Sequence, residues 1–359
     1  MSNENNGMMR KPVMVFAGNF RLGSTESGLA DGFRRAGWAV QEVDIRQFSS
    51  GSRKSIISRI ASRVATMGWE KSYREAVLKE CKFLRPDVVF FVKGQGVTNG
   101  FLRDLKLHSS HAAVYYPDVS FNHPQLHLDS LSGYDLFATT KSFHVEWLQE
   151  RIGREKTVWV PHGYTDRLHS PIYSHLNDDS RDSDVLYAGN FSEYKKEWMS
   201  GLIEDNRDAR FIIIGNRWES ELDLPKESFL GEVSGVGYAK SIQMTKINIA
   251  LHFGKTDSQW QDLVSRRTFE IPACKGFMLH IDNDEVRNLF DVGTEIDVFS
   301  SKEELSDKVK YYLANPSIRE RMTERAYTRC VPAYGHVNRA MAITEAMVEK
   351  GMISSTISQ

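Results

Sequence analysis

Cysteine is scarce in this chain, and what there is does not pair. Cys81, Cys274 and Cys330 lie far apart and form neither a CxxC step nor a Cys/His metal spacing. An odd, sparse set of this kind argues against a disulfide scaffold and suits a reducing compartment. Long apolar runs are missing too: no window approaches about 18 uninterrupted apolar residues, the length a membrane span needs. The opening residues, MSNENNGMMRKP, are polar and lack the apolar core of a signal peptide. Nor does one sign of charge dominate. Lys and Arg number 46 against 47 Asp and Glu, a formal net charge of -1, so any affinity for nucleic acid or anionic membrane must be local. The expectation from these absences is a cytoplasmic protein with no nucleic-acid partner.

What is present is alternation. A chain of 359 residues exceeds what one hydrophobic core usually sustains, so two domains are expected. Short apolar runs at 13–17, 39–45, 87–92, 112–116, 136–139 and 158–160 read as strands, and helical periodicity follows 13–17 through Leu29, Phe33 and Ala36. Strand, glycine-bearing turn, helix, strand is the unit of a parallel sheet. Residues 166–183 are polar and aperiodic and read as a connection between domains; then strands recur at 184–188, 211–214, 247–251 and 277–281, ahead of a helical tail. Twin Rossmann-like α/β domains facing a cleft are expected, with ligands beyond the carboxyl ends of the strands.

Several residues at those strand ends invite a chemical reading beside a structural one. The turn Gly18-Asn19-Phe20-Arg21-Leu22-Gly23-Ser24 lacks the GxGxxG spacing, which disfavours a dinucleotide site. It is either a tight strand-to-helix turn or one whose amides face an anionic donor or an acceptor, and Gly94 ends the 87–92 strand in the same way. Lys195-Lys196 lies at a helix start, where cations oppose the dipole; a bound phosphate would justify the pair, and so would simple solvation beside Glu193 and Glu197. Asp118, after Pro117, and His123 can act as general base or orient an acceptor hydroxyl, or they merely shape a turn. His162 follows the strand closing the first half and either touches substrate or bonds the connection. Residues 53–67 carry Arg53, Lys54, Arg59 and Arg63 around an apolar face. Such a helix can lie peripherally on the inner face of a membrane or cover a sheet.

The stretch Arg266-Arg267-Thr268-Phe269-Glu270-Ile271-Pro272-Ala273-Cys274 is the most distinctive. Cys274 has no local histidine to activate it and reads as a small buried thiol. Glu270, between apolar neighbours, needs a partner: Arg266, Arg267 or a ligand hydroxyl. Pro272 and Ala273 suit the first turn of a buried helix.

Residues 267–274, RTFEIPAC, with Gly276-Phe277-Met278-Leu279 after them, resemble the signature of the CgeB-like branch of GT-B glycosyltransferases, akin to the large retaining family four. Residues 293–300, Glu303-Glu304-Leu305 and Tyr311-Tyr312-Leu313 resemble its tail, and Val160-Pro161-His162-Gly163 with His169-Ser170-Pro171 its interdomain segment. The resemblance implies GT-B architecture: an acceptor-side domain, 1–165, to which helix 335–359 crosses back, and a nucleotide-sugar donor domain, 166–334. It implies a nucleotide-diphosphate sugar as donor substrate, a hydroxyl acceptor, no cofactor and no metal. Glu270 takes the place of the second of two glutamates eight positions apart, which holds the donor ribose; the first place is taken by Asp262, a shortened carboxylate. Lys195 falls on the lysine of the phosphate-binding pattern after Gly189, but Asn190 stands where that pattern has arginine, and Arg266 or Arg267 is the candidate replacement. Gly276 belongs to the donor-side set; Gly18, Asn19, Gly94 and His162 to the acceptor side; Asp118, His123 and Asp262 are the catalytic candidates. The branch's His-Thr-Tyr is replaced by Ala333-Tyr334-Gly335-His336. An epimerase or phosphorylase on the same scaffold, or a sugar-nucleotide-binding protein without turnover, are the rival readings.

Overall fold

The computed structural model describes residues 10–49, 58–123, 125–252, 254 and 260–354, and of residues 49 and 58–67 the backbone only. The chain divides into two compact units, Met1–Pro161 with Arg339–Gln359, and His162–Asn338.

In the first unit, β1 (Val13–Gly18), α1 (Thr25–Arg35), β2 (Ala39–Asp44), α2 (Arg46–Ser49), α3 (Ser58–Leu84), β3 (Val88–Val92), α4 (Asn99–Leu105), β4 (His111–Tyr116), β5 (Leu136–Thr139), α5 (His144–Ile152) and β6 (Thr157–Trp159) follow in order. The six strands form one parallel sheet in the order β2-β1-β3-β4-β5-β6. A parallel sheet covered on both faces needs strands that are apolar throughout, which VMVFAG and VVFFV supply. Alternate residues take opposite faces: Met14, Phe16, Val88 and Phe90 pack against Leu29 and Phe33 of α1. The last helix of the chain, met below, adds Ala340, Ile343 and Met347 to the same core, and Trp38 Nε1 donates to Thr344 Oγ1 at 3.0 Å.

The second unit runs β7 (Ser183–Ala188), α6 (Glu193–Asp205), β8 (Phe211–Ile214), β9 (Phe229–Gly231), α7 (Gly235–Gln243), β10 (Thr245–Ala250), α8 (Arg267–Ala273), β11 (Met278–Ile281), α9 (Asp284–Leu289), β12 (Asp297–Phe299), α10 (Lys302–Ala314) and α11 (Pro316–Cys330). The final helix, α12 (His336–Glu349), starts here and belongs to the first unit from Arg339 onward. The parallel sheet has the order β12-β11-β10-β7-β8-β9. Counted from its own first strand this is the doubly wound order third, second, first, fourth, fifth, sixth. Its switch point lies between β7 and β10. In the first unit the order reverses between β1 and β3.

Residues 166–183, which composition reads as a connection, are fastened to the second unit. The Gln243 side chain accepts from the amides of Ile172 and Tyr173 at 2.8 and 2.9 Å and donates to the Tyr173 carbonyl at 2.7 Å. No helix among the described residues is long and apolar enough to cross a membrane. The basic face expected at 53–67 lies outside the described residues and side chains; residues 58–67 run as the opening turns of α3.

Candidate functional site

The RTFEIPA helix, α8, starts earlier than expected. Arg266 already has helical dihedrals, and its carbonyl accepts from the amides of Phe269 and Glu270 at 3.0 and 2.9 Å. Pro272 therefore stands in the last turn, not the first, where it has no N–H to offer the carbonyl of Thr268. Lys275 ends the turn with φ 55°, and Gly276 bonds back to Ile271 at 3.0 Å. Cys274 is buried, and burial pushes its thiol well above the ordinary range, as a packing role requires.

Of the two arginines that could pair with Glu270, the structure selects Arg266. Its Nε and Nη2 both donate to Oε1, at 2.8 and 2.6 Å, while Nε2 of the buried His169 lies 3.7 Å from the same oxygen. His169 Nδ1 accepts from the Thr165 amide at 3.0 Å, so its proton sits on Nε2, toward the carboxylate. Burial pushes the Glu270 carboxyl up; the charge of Arg266, with His169, outweighs it and leaves the group below the ordinary carboxylate range.

Arg267 points elsewhere, to the switch point of the sheet. Its Nη2 donates to the Leu251 carbonyl at 3.0 Å, just past β10. On the β7 side, Nη1 comes within 2.9 Å of where a Cβ on Gly189 would sit. The Tyr187 hydroxyl comes closer still, within 2.6 Å, so a side chain at 189 would have to displace both. The turn is braced from behind: Trp218 Nε1 donates to the Gly189 carbonyl at 2.7 Å, and a Cβ on Gly215 would lie 2.3 Å from that carbonyl oxygen. Lys195, in the first turn of α6, folds its Nζ back to the Asn190 carbonyl at 3.0 Å and is 1% exposed. Burial and the neighbouring charge of Arg267 lower its pKa to about 7, against a smaller opposing pull from buried Asp262. Gly189, Asn190, Lys195, Asp262 and Arg267 thus gather at one strand end, and the Arg266–Glu270 pair lies on the helix that carries Arg267.

The first unit brings together a second set. Gly18 ends β1 against Glu26, whose Cγ would be 2.8 Å from a Cβ there, and Ser24 Oγ donates to the Asn19 carbonyl at 2.8 Å. Lys93 and Gly94, both with positive φ, end β3, and Lys93 Nζ pairs with Asp118 Oδ2 at 2.9 Å. His123 lies 3.3 Å from Gln95 in the same loop cluster. Glu26 escaped the sequence reading. It is 7% exposed, and burial raises its pKa against the pull of local amides and Lys93. An acidic residue in a helix's first turn is ordinary; only the tertiary burial marks it.

Two expected members stand apart. Gly276 precedes β11, at the amino end of the sheet, where a Cβ would meet Ile242 at 2.5 Å; it serves close packing there. His162, grouped with the acceptor side, is the first residue of the second unit and is buried. A cavity of about 870 Å³ opens at the amino ends of β7 and β8, between Ser183, Arg210, Phe211 and Leu224. It holds none of the candidate residues, and ligands of such sheets bind at the opposite end. Among the described residues no cluster of three or more His, Cys, Asp or Glu is placed to hold a metal ion.

Residues 195–345 match the model of a family described as glycosyl transferase-like. No curated protein sequence matches the chain. Solved structures match it over almost its whole length. Sucrose-phosphate synthase from Thermosynechococcus elongatus is 10% identical with a TM-score of 0.63, over 95% of this chain and 99% of that one. Anabaena HepE in complex with UDP-glucose is 12% identical with a TM-score of 0.59, over 94% and 99%. A putative UDP-N-acetylglucosamine 2-epimerase from Listeria monocytogenes is 11% identical with a TM-score of 0.55, over 95% and 96%. The fold is GT-B-like. Identities this low carry the fold and not the chemistry.

The Arg266–Glu270 pair has a pH signature. A carboxylate held below its unfolded pKa stabilises above that pKa, and the contribution is lost as pH falls through the folded value. Glu270→Gln should lower stability by about 2 kcal/mol at pH 7. In urea titrations the gap to the wild type should begin to narrow as pH falls below the ordinary glutamate value of about 4.3; a gap independent of pH would show that the charge contributes nothing.

Proposed function

We propose that the protein is a glycosyltransferase that moves a sugar from a nucleotide-diphosphate donor to a hydroxyl acceptor, in the manner of the CgeB-like branch it resembles. The observation that carries the proposal is the meeting of Lys195 and Arg267 at the Gly189 turn. Two cations at the switch point of a doubly wound sheet suit a diphosphate, and the glycosyl transferase-like match spans both residues.

The chemistry needs the bond between the anomeric carbon and the β-phosphate oxygen to break while the acceptor oxygen takes its place and gives up its proton. Charge then accumulates on the leaving diphosphate. Lys195 and Arg267, preorganised before the donor arrives, neutralise it without reorganising at the moment of reaction, and no metal is called for in this scheme. Glu270 receives the ribose hydroxyls through the oxygen outside the Arg266 fork. Asp262, one methylene shorter than glutamate, stands toward the transferred sugar, with Arg267 in the role of the arginine that Asn190 displaces. On the first unit Asp118, held by Lys93, and His123 are assigned to the acceptor. Retention of configuration follows from the resemblance. A cytoplasmic location rests instead on the sparse, unpaired cysteines, and the basic residues of 53–67 offer a peripheral contact at the membrane surface.

A second reading is favoured by one finding, the likeness to a UDP-N-acetylglucosamine 2-epimerase. Incubation with a nucleotide sugar and no acceptor separates the two. A transferase leaves the sugar's configuration unchanged, whereas accumulation of an epimerised nucleotide sugar would replace the proposal with this reading.

Lys195 supplies a binding test. With its pKa lowered to about 7 it is only partly protonated near neutral pH, so an arriving diphosphate that charges it fully takes up a fraction of a proton. Calorimetric titration of nucleoside diphosphate in buffers of different ionisation enthalpy should reveal that uptake in the wild type and not in Lys195→Met, which should also bind about tenfold more weakly. Identical proton counts for the two proteins would remove Lys195 from the phosphate.

A further inference from the structure

Beneath Arg267 lie two histidines for which the fold alone gives no need. His252 follows β10 and His280 sits in β11, 1% and 0% exposed, with ring centroids 4.7 Å apart. Imidazoles buried side by side cost more than the leucines that such strands usually carry, unless every nitrogen is used. Here the nitrogens are used in one direction only.

The direction is set by a backbone carbonyl. His280 Nδ1 is 2.6 Å from the Ile281 oxygen, which can only accept, so the ring's proton is on Nδ1 and Nε2 is bare. Burial drives the His280 pKa to about 4, so the ring stays neutral and cannot protonate both nitrogens near pH 7. The bare Nε2 then accepts from His252 Nε2–H at 2.9 Å and shares its lone pair with the Thr268 hydroxyl at 2.9 Å. With its proton committed to Nε2, His252 turns an unprotonated Nδ1 toward Arg267 Nη2, 3.4 Å away. The opposite tautomer would set an N–H against the guanidinium.

We propose that His252 and His280 are positioning residues: the Ile281 carbonyl sets the tautomer of His280, His280 sets that of His252, and His252 with the Leu251 carbonyl fixes the guanidinium of Arg267 in the attitude that meets the donor diphosphate. This rests on the donor-site reading above for what Arg267 meets, though not for the tautomers. Neither histidine touches substrate. Thr268, one residue along α8 from Arg267, ties the relay to the helix that carries the arginine.

The test has two arms on the full-length protein. In ¹⁵N-histidine NMR at neutral pH, the wild type should show His280 protonated at Nδ1 and His252 protonated at Nε2. The reverse assignment for either ring overturns the relay, whatever the variants do. In the second arm the tightest binder among UDP, GDP, ADP and dTDP is titrated into four proteins. His280→Leu, which removes the acceptor, should weaken binding about tenfold, the worth of one hydrogen bond to a charged group. His280→Gln restores an acceptor at the place of Nε2 and should bind within about twofold of the wild type. Arg267→Ala should lose at least as much as His280→Leu. If Arg267→Ala binds undiminished, the donor-site reading falls and takes the proposal with it. If Arg267→Ala is weakened but His280→Leu is not, or His280→Gln is as weak as His280→Leu, the positioning role alone is refuted. Where His280→Leu does not fold, the tautomer spectrum together with His280→Gln still decides.

Discussion

A buried lysine and a half-buried arginine, Lys195 and Arg267, meet at one strand-end turn, and much of the second unit is arranged around that fact. Lys195 and Arg267 stand close enough that the charge of one depresses the pKa of the other. Burying like charges is unfavourable until an anion offsets them. The framework that holds them there is rigid. A side chain on Gly189 would meet the Tyr187 hydroxyl and Arg267, one on Gly215 would meet the Gly189 carbonyl, and Trp218 ties that carbonyl down. Glu270, on the same helix, takes its side-chain hydrogen bonds from Arg266 and not from Arg267. A preorganised pair of cations of this kind is what a leaving diphosphate needs.

The topology of each sheet explains why the residues meet where they do. In the second unit β7 and β10 are neighbours whose connections run to opposite sides, so the loops after them diverge and leave room above the strand ends. Gly189 lies past one strand and Leu251 past the other, and Arg267 reaches both. The first unit repeats the scheme with different side chains. Around the ends of β1 and β3 stand Gly18, Glu26, Lys93 and Asp118, a more acidic group suited to a hydroxyl.

Much of the fold was legible because buried parallel strands are continuous apolar runs between turn residues. The stretches 13–17, 87–92 and 184–188 all became strands. What could not be read is short or marginal. β9 is three residues with Leu230 44% exposed, and α7, GVGYAKSIQ, carries two glycines that hide its period. Pro272 misled in a specific way: proline is commonest in a helix's first turn, but Arg266 nucleates this helix six residues earlier. In the site, Lys195, Arg267 and Glu270 could be named because charged residues beside strand ends and apolar runs stand out in one dimension. Glu26, His252 and His280 could not. Each looks ordinary along the chain, and only neighbouring strands or helices supply the burial and the partner that make it otherwise.

The central claim is that the cation pair exists for a nucleotide diphosphate carrying a sugar. Thermal unfolding in the presence of UDP-, GDP-, ADP- and dTDP-sugars tests it most directly, because a ligand of the native state raises the midpoint by mass action. At ligand concentrations about 100 times the dissociation constant the native state gains about 2.7 kcal/mol, several degrees for a domain of this size. The account predicts such a rise with at least one of these donors in the wild type and its loss in the double variant Lys195→Met, Arg267→Ala. Midpoints unmoved by every donor, or moved equally in the double variant, would contradict it.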